Sequence, residues 1–232
     1  ITGYPGVYRK SHVHCLNQKE TAMRCAAELG KEYKDVNVIV AHVGGGLSVA
    51  AHNHGRMIDT NDVLEGSGPF APNRSGDVPL KPVVKLCFDG EHDKKEIDGV
   101  IGKTGGLKGL LGTDDAIEID KRIEAGDEWA KIVYEAMAYQ VAKAIGGFAA
   151  ALKGQVDGIV LTGGVSNDKY FTNYISERVS WIAPIKIYGG DFEMEGCAAG
   201  AVRALTGAEE VMTYTGEPSW KGFTQPGAIP EA

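Results

Sequence analysis

Two short apolar runs that end in glycines organise the hydrophobic pattern. Asn37-Val38-Ile39-Val40-Ala41 delivers the backbone into Gly44-Gly45-Gly46, and an alternating run from Leu47 carries it to the turn Asn53-His54-Gly55 and on to Asp59. The pattern predicts strand, glycine loop, strand. Asp157-Gly158-Ile159-Val160-Leu161 repeats the theme and runs into Thr162-Gly163-Gly164-Val165-Ser166-Asn167. Helical spacing predicts a helix over about Leu16 to Gly30, with Ala22, Ala26, Ala27 and Leu29 on a small-residue face and Gly30 as its cap. The longest helical pattern, Asp127 to Leu152, places Trp129, Ile132, Val133, Ala136, Met137, Ile145, Phe148 and Leu152 in the core.

Shorter helices are expected over Leu80 to Phe88, Lys94 to Ile101, Ala116 to Ile123 (capped by Thr113 or Asp114), Tyr170 to Trp181 and Glu193 to Leu205. Ile185 to Tyr188 reads as a strand, Gly105-Gly106-Leu107 as a turn, and everything after Thr206 as a peripheral tail. Strands alternating with helices give an α/β class, and ligands in such sheets sit beyond the carboxyl ends of the strands. Both glycine loops are therefore expected to face one cleft.

Composition changes this picture little. At 232 residues with 43% hydrophobic and 24% charged, the chain has an ordinary globular balance. Its formal net charge of -7 argues against a nucleic-acid partner, and no apolar run approaches membrane-spanning length. Cys15, Cys25, Cys87 and Cys197 lack CxxC spacing, which excludes zinc-ribbon and disulfide frameworks and fits a reducing cytoplasm. Beginning at Ile1 without an initiator methionine, the chain reads as cut from something longer.

Three successive glycines allow backbone N–H groups to converge on anionic oxygens, and the usual object approaching a main chain so closely is a phosphate. The Gly- and Pro-rich stretch from Leu64 to Pro79 is a long ordered loop, which inside a compact domain is usually functional, and it carries Arg74. Gly102-Lys103-Thr104 imitates the end of a Walker A motif but has Ile97 where that motif needs glycine. The pairs His12-x-His14 and His52-x-His54 offer a rival reading as ligands of a metal-dependent hydrolase, because i and i+2 share a strand face.

Five ordered motifs, Ser11 to Lys19, His42 to Asp59, Gly66 to Pro79, Leu161 to Asn167 and Glu193 to Arg203, carry a resemblance to the acetate and butyrate kinases, closest to the butyrate branch, where Gly45 replaces an Asn. The resemblance implies the ribonuclease H-like fold of the sugar kinase, Hsp70 and actin superfamily, a mixed sheet flanked by helices. It implies that residues 1–30 are a remnant and connecting helix of an N-terminal domain, and residues 31–232 a C-terminal nucleotide-binding domain with a helical insertion at about 80–126. A first phosphate loop, an arginine and an aspartate expected upstream are absent from the sequence, so the resemblance reads the chain as an N-terminally truncated fragment. The implied reaction is reversible phosphorylation of a short-chain carboxylate, butyrate or a branched analogue, by ATP with Mg²⁺.

By the same resemblance His14 stabilises the phosphoryl group in flight, Arg74 neutralises it, and Glu193, or else Glu195, acts through the magnesium ion. His42, Gly44, Gly45, Gly46 and Ser48 belong to the phosphate motif, and Gly163, Gly164, Val165 and Asn167 to the adenosine motif. Thr162-Gly163-Gly164 beside Cys197-Ala198-Ala199-Gly200 suggests a nucleotide wall backed by a small-residue helix crossing. Val43, Leu47, Pro69 and Phe70 are candidates for the acyl pocket, with core packing the alternative for Val43 and Leu47. A homodimer or higher homo-oligomer is implied as well. A non-catalytic nucleotide-dependent switch on the same fold is a further alternative, which would need the glycine loops but not Arg74 with His14.

Overall fold

The computed structural model describes residues 2–216; Ile1 and the last part of the expected tail, 217–232, lie outside the described residues. Strands β1 (Asn37–Val43), β2 (Leu47–Asn53), β3 (Arg56–Thr60), β4 (Gly158–Gly163) and β5 (Ile185–Gly189) form one sheet in the order β3-β2-β1-β4-β5. β2 runs antiparallel to β1 and β3, while β1, β4 and β5 are mutually parallel, the mixed sheet the sequence implied.

β1 is buried along its whole length because both faces of the sheet are covered. Its side chains alternate between two cores. Ile39, Ala41 and Val43 join Val49, Ala51, Ile159 and Leu161 against helices α6 (Glu128–Ala151) and α7 (Lys169–Val179). Val38 and Val40 turn the other way, with Val160, onto Ala22, Cys25 and Ala26 of α1 (Cys15–Glu28). α1 thus buries its small-residue face on the sheet across the expected boundary at residue 30. Gly30 ends α1 at φ +71, with Lys31 N–H bonded to the Ala26 carbonyl.

The helical insertion is two different things. α2 (Leu80–Cys87) and α3 (Lys94–Gly99) bury no residue, whereas α4 (Gly106–Leu111) and α5 (Ala116–Glu124) sink Leu107 and Ile119 into the core beside α6. α4 replaces the turn expected at Gly105-Gly106-Leu107, and its cause is tertiary: Leu107 N–H and Lys108 N–H donate to the Ala71 and Pro72 carbonyls of the Arg74 loop. Asp115, rather than Thr113 or Asp114, caps α5 by accepting from Ile117 N–H. On α6, Trp129 and Ile132 are exposed, and Tyr134, Ala138 and Val141 hold core positions instead. The last helix, α8 (Glu193–Leu205), matches its expected span. Among the described residues no helix is long and apolar enough to cross a membrane.

Candidate functional site

The sheet brings the two glycine loops together. Parallel pairing sets His42 opposite Thr162, so β1 and β4 release Gly44 and Gly164 at the same carboxyl edge. The loops touch there: Gly163 has φ +90, and a Cβ on it would lie 2.3 Å from the Val43 carbonyl oxygen.

Arg74 and His14 converge on the first loop. A Cβ on Gly46 would fall 1.8 Å from Arg74 Nη1 and 3.4 Å from His14 Cε1, so only glycine leaves space for the guanidinium at this place. Asn73 approaches Gly45 in the same way, its Nδ2 3.6 Å from where a Cβ would stand. The half-buried Arg74 donates from Nε to the Gly102 carbonyl at 3.4 Å, and no carboxylate pairs with it among the described residues. A cation held over a glycine loop without a counter-ion is the electrostatic signature of an anion site.

Backbone anchors set the direction of His14. Asp62, almost fully buried, accepts from the backbone N–H and Nδ1 of His12 and from the N–H groups of Leu64 and Glu65. Burial raises the Asp62 pKa, but those hydrogen bonds outweigh it and hold the carboxyl below its ordinary value. The segment two residues on is thereby fixed, and the His14 ring stacks on His42 at 4.0 Å between centroids. Burial, and after it the Arg74 charge, lower the His14 pKa, while Asp191 opposes them. His42 drops to about 3 through burial first and His14 second, so both rings are neutral at neutral pH. His42 Nδ1 is buried with no hydrogen-bond partner among the described residues.

A cleft of ≈ 700 Å³ opens between α5 and the second glycine loop, lined among others by Ile117, Asp120, Gly164, Val165, Asn167 and Tyr170. Asp168 ties this loop to the core: its carboxylate caps α7 by accepting from Tyr170 N–H and accepts the Tyr134 hydroxyl at 2.7 Å. Beside Arg74, a much smaller cavity of ≈ 10 Å³ is lined by Leu47, Val63, Pro69 and Ala71 and also by Asp62 and Ser67. Val43 and Phe70, the other acyl-pocket candidates, belong to the main core.

Some expected residues stand elsewhere. Ser48, placed by the resemblance at the phosphate, is fully buried behind His14, its Oγ 2.8 Å from His14 Nδ1. Glu193 and Glu195 are exposed on the first turn of α8, and no described contact joins them to His14 or Arg74. Asp191, which bonds Glu193 N–H, is the carboxylate whose charge reaches His14. Neither Asp191 nor Asn73 has a sequence signal of its own; only the return of β5 and of the Arg74 loop brings them in. α8 meets α1 one residue before the expected Cys197-Ala198-Ala199-Gly200 run: a Cβ on Gly196 would lie 3.0 Å from the Leu16 carbonyl oxygen. The His-x-His pairs do not converge: His12 serves Asp62, His52 is buried between Tyr33 and Gln18, and His54 sits in a turn on the Lys34 carbonyl. Among the described residues no three His, Cys, Asp or Glu side chains group as metal ligands.

Comparison with known proteins decides the family, because residues 6–198 match the model of the acetokinase family. The chain belongs to the acetokinase family. Among solved structures it is similar to Porphyromonas gingivalis acetate kinase (24% identity, TM-score 0.76, covering 85% of this chain and 56% of that one). It is also similar to a propionate kinase from Francisella tularensis (24%, TM-score 0.73, 81% and 54%) and a ROK hexokinase from Thermus thermophilus (16%, TM-score 0.50, 83% and 66%). The fold is thus that of the actin, Hsp70 and sugar kinase superfamily. The chain spans a little over half the length of the acetate and propionate kinase structures it matches.

Proposed function

We propose that this chain carries the phosphoryl-transfer half of a short-chain carboxylate kinase, which moves the γ-phosphoryl group of ATP to a carboxylate and runs in reverse with ADP. The observation that carries this reading is the unpaired Arg74 guanidinium against Gly46, with His14 beside it. Transfer to a carboxylate requires little covalent work from the protein; positioning and charge stabilisation dominate. Arg74 meets the charge on the equatorial oxygens, the glycine loop offers backbone N–H groups, and neutral His14 supplies a polar ring without adding net charge. A nucleotide-only switch would have no use for an uncompensated arginine there.

The ≈ 700 Å³ cleft beside Gly164, Val165 and Asn167 has the size and apolar lining for adenosine. Magnesium typically takes one or two protein carboxylates and completes its shell with phosphates and water, so Asp191 together with Glu193 is a suitable donor set. When bound, the ion would neutralise charge on the transferring phosphates. Butyrate or a branched analogue is the acceptor we favour, on the resemblance carried by Gly45; Leu47, Val63 and Pro69 give one apolar side to the space beside Arg74, and Asp62 and Ser67 a polar one. At ≈ 10 Å³ that space holds about one water, so a four-carbon acyl group requires it to widen. A cytoplasmic setting and a homo-oligomer complete the proposal.

The test is hydroxylamine trapping of acyl phosphate from Mg-ATP and a panel of linear and branched carboxylates. We expect product that peaks at four carbons and that falls by about a thousandfold in kcat in Arg74→Ala. His14→Ala should lower kcat more than it raises KM. A chain that binds Mg-ATP and yields no product with any carboxylate would contradict the reading, as would equal rates in Arg74→Ala.

A further inference from the structure

Beneath α1 lies a line of polar groups that ends at His14. Ser48 and His52 share one face of β2, turned towards α1, and Gln18 of α1 descends between them; all three are fully buried. Gln18 Nε2 lies 3.2 Å from the Ser48 carbonyl oxygen, 3.4 Å from the Val40 carbonyl oxygen and 3.0 Å from Ser48 Oγ. Carbonyl oxygens only accept, so the amide nitrogen must face them and Gln18 Oε1 must face His52 Nε2, 3.1 Å away.

That orientation propagates in both directions. His52 Nε2 carries the proton it gives to Gln18, which leaves His52 Nδ1 to accept the Tyr33 hydroxyl at 2.7 Å. Towards the site, Ser48 Oγ accepts the shortest of the three Gln18 Nε2 contacts and keeps its own hydroxyl hydrogen to donate. Its partner is His14 Nδ1 at 2.8 Å, and no other acceptor for it stands among the described hydrogen bonds. The single proton of the neutral His14 ring is then on Nε2, where no protein partner takes it among the described residues.

We propose that Gln18 and Ser48 are positioning residues that lock His14 as its Nε2–H tautomer, so that it meets an anionic oxygen as a hydrogen-bond donor. The opposite tautomer would turn a lone pair towards the anion and repel it. Two main-chain carbonyls, those of Val40 and Ser48, set the polarity of the whole line, so the lock is part of the fold. The proposal rests on the reading of His14 as a group facing the transferring phosphate, but its test does not require turnover.

Long-range ¹H–¹⁵N spectra of the chain with ¹⁵N-labelled histidine distinguish protonated from unprotonated ring nitrogens, and the His14 signals are those missing in His14→Gln. The expected wild-type pattern is Nε2 protonated and Nδ1 bare. Gln18→Met removes the amide that bonds the Val40 and Ser48 carbonyls and Ser48 Oγ, which frees the Ser48 hydroxyl to turn away from His14 and accept from its Nδ1, so the pattern becomes a mixture. Ser48→Ala gives a mixture of tautomers, and Ser48→Thr restores the wild-type pattern. Where Gln18→Met does not fold, the Ser48→Ala and Ser48→Thr pair decides. A wild-type His14 protonated at Nδ1, or a folded Ser48→Ala with an unchanged pattern, overturns the proposal. A locked tautomer in a chain that transfers no phosphate would uphold it and count only against the functional reading.

Discussion

Gly46 shows how one residue controls the site through what it leaves out. A methyl group there would collide with Arg74 Nη1, the far end of a flexible side chain, so Gly46→Ala should displace the guanidinium while the backbone stays in place. We expect kcat to fall by about a hundredfold, because misplacing one group by about 1 Å has that effect, with a melting temperature within about 2 °C of wild type. Steady-state kinetics and a thermal melt on the same sample check both halves. Cysteine reactivity offers a second residue-scale test. Burial pushes the Cys25 thiol up to about 11, whereas Cys15, Cys87 and Cys197 are exposed. A thiol reagent under native conditions should modify those three quickly and Cys25 only after unfolding; rapid modification of Cys25 would show that α1 does not stay on the sheet.

At the scale of elements, the turn from β4 into α7 is held by two contacts that mutation separates. Gly163→Ala places a side chain at φ +90 against the Val43 carbonyl, so strain and a backbone shift should cost about 2–4 kcal/mol in urea denaturation. Asp168→Ala removes a helix cap and leaves the Tyr134 hydroxyl without its partner, for about 2–3 kcal/mol, and Asp168→Asn should recover part of it. Both elements were legible in the sequence, since a β-branched run ending in glycines allows few other readings. α4 was not, because glycines at 105, 106 and 109 disfavour a helix that forms only through its dock on the Arg74 loop. The face of α6 was legible only in part: a helix apolar on most sides has no single stripe to read, and Trp129 and Ile132 went to solvent. Of the site, His14, Arg74 and the glycines were readable as residue types in ordered motifs. The concealed role of Ser48 and the approach of Asp191 were not, because each depends on which layer covers which strand face.

For the molecule as a whole, the buried histidines predict how stability depends on pH. Burial lowers His42 to about 3 and His52 to about 4, below the unfolded value near 6.5. A group whose folded pKa is depressed leaves the unfolded state binding more protons as pH falls, so stability is intact above about 6.5 and declines towards 4. Each histidine should remove about 2 kcal/mol between pH 7 and pH 5. Urea midpoints across that window measure the loss, and His52→Gln should remove about half of it, leaving the His42 share; a stability that rises as pH falls would contradict the burial of both rings. The two layers on the sheet, α1 on one side and α6 with α7 on the other, also hold together the place where Arg74 and His14 meet Gly46, which we propose as one anion-binding centre. The most direct measurement of that claim is the affinity of the intact chain for inorganic phosphate by calorimetry. Arg74→Ala is compared there with Arg178→Ala, an arginine stacked on Tyr174 of α7. The account predicts phosphate binding that weakens at least about tenfold in Arg74→Ala and is unchanged in Arg178→Ala. Equal affinity in wild type and Arg74→Ala would contradict it.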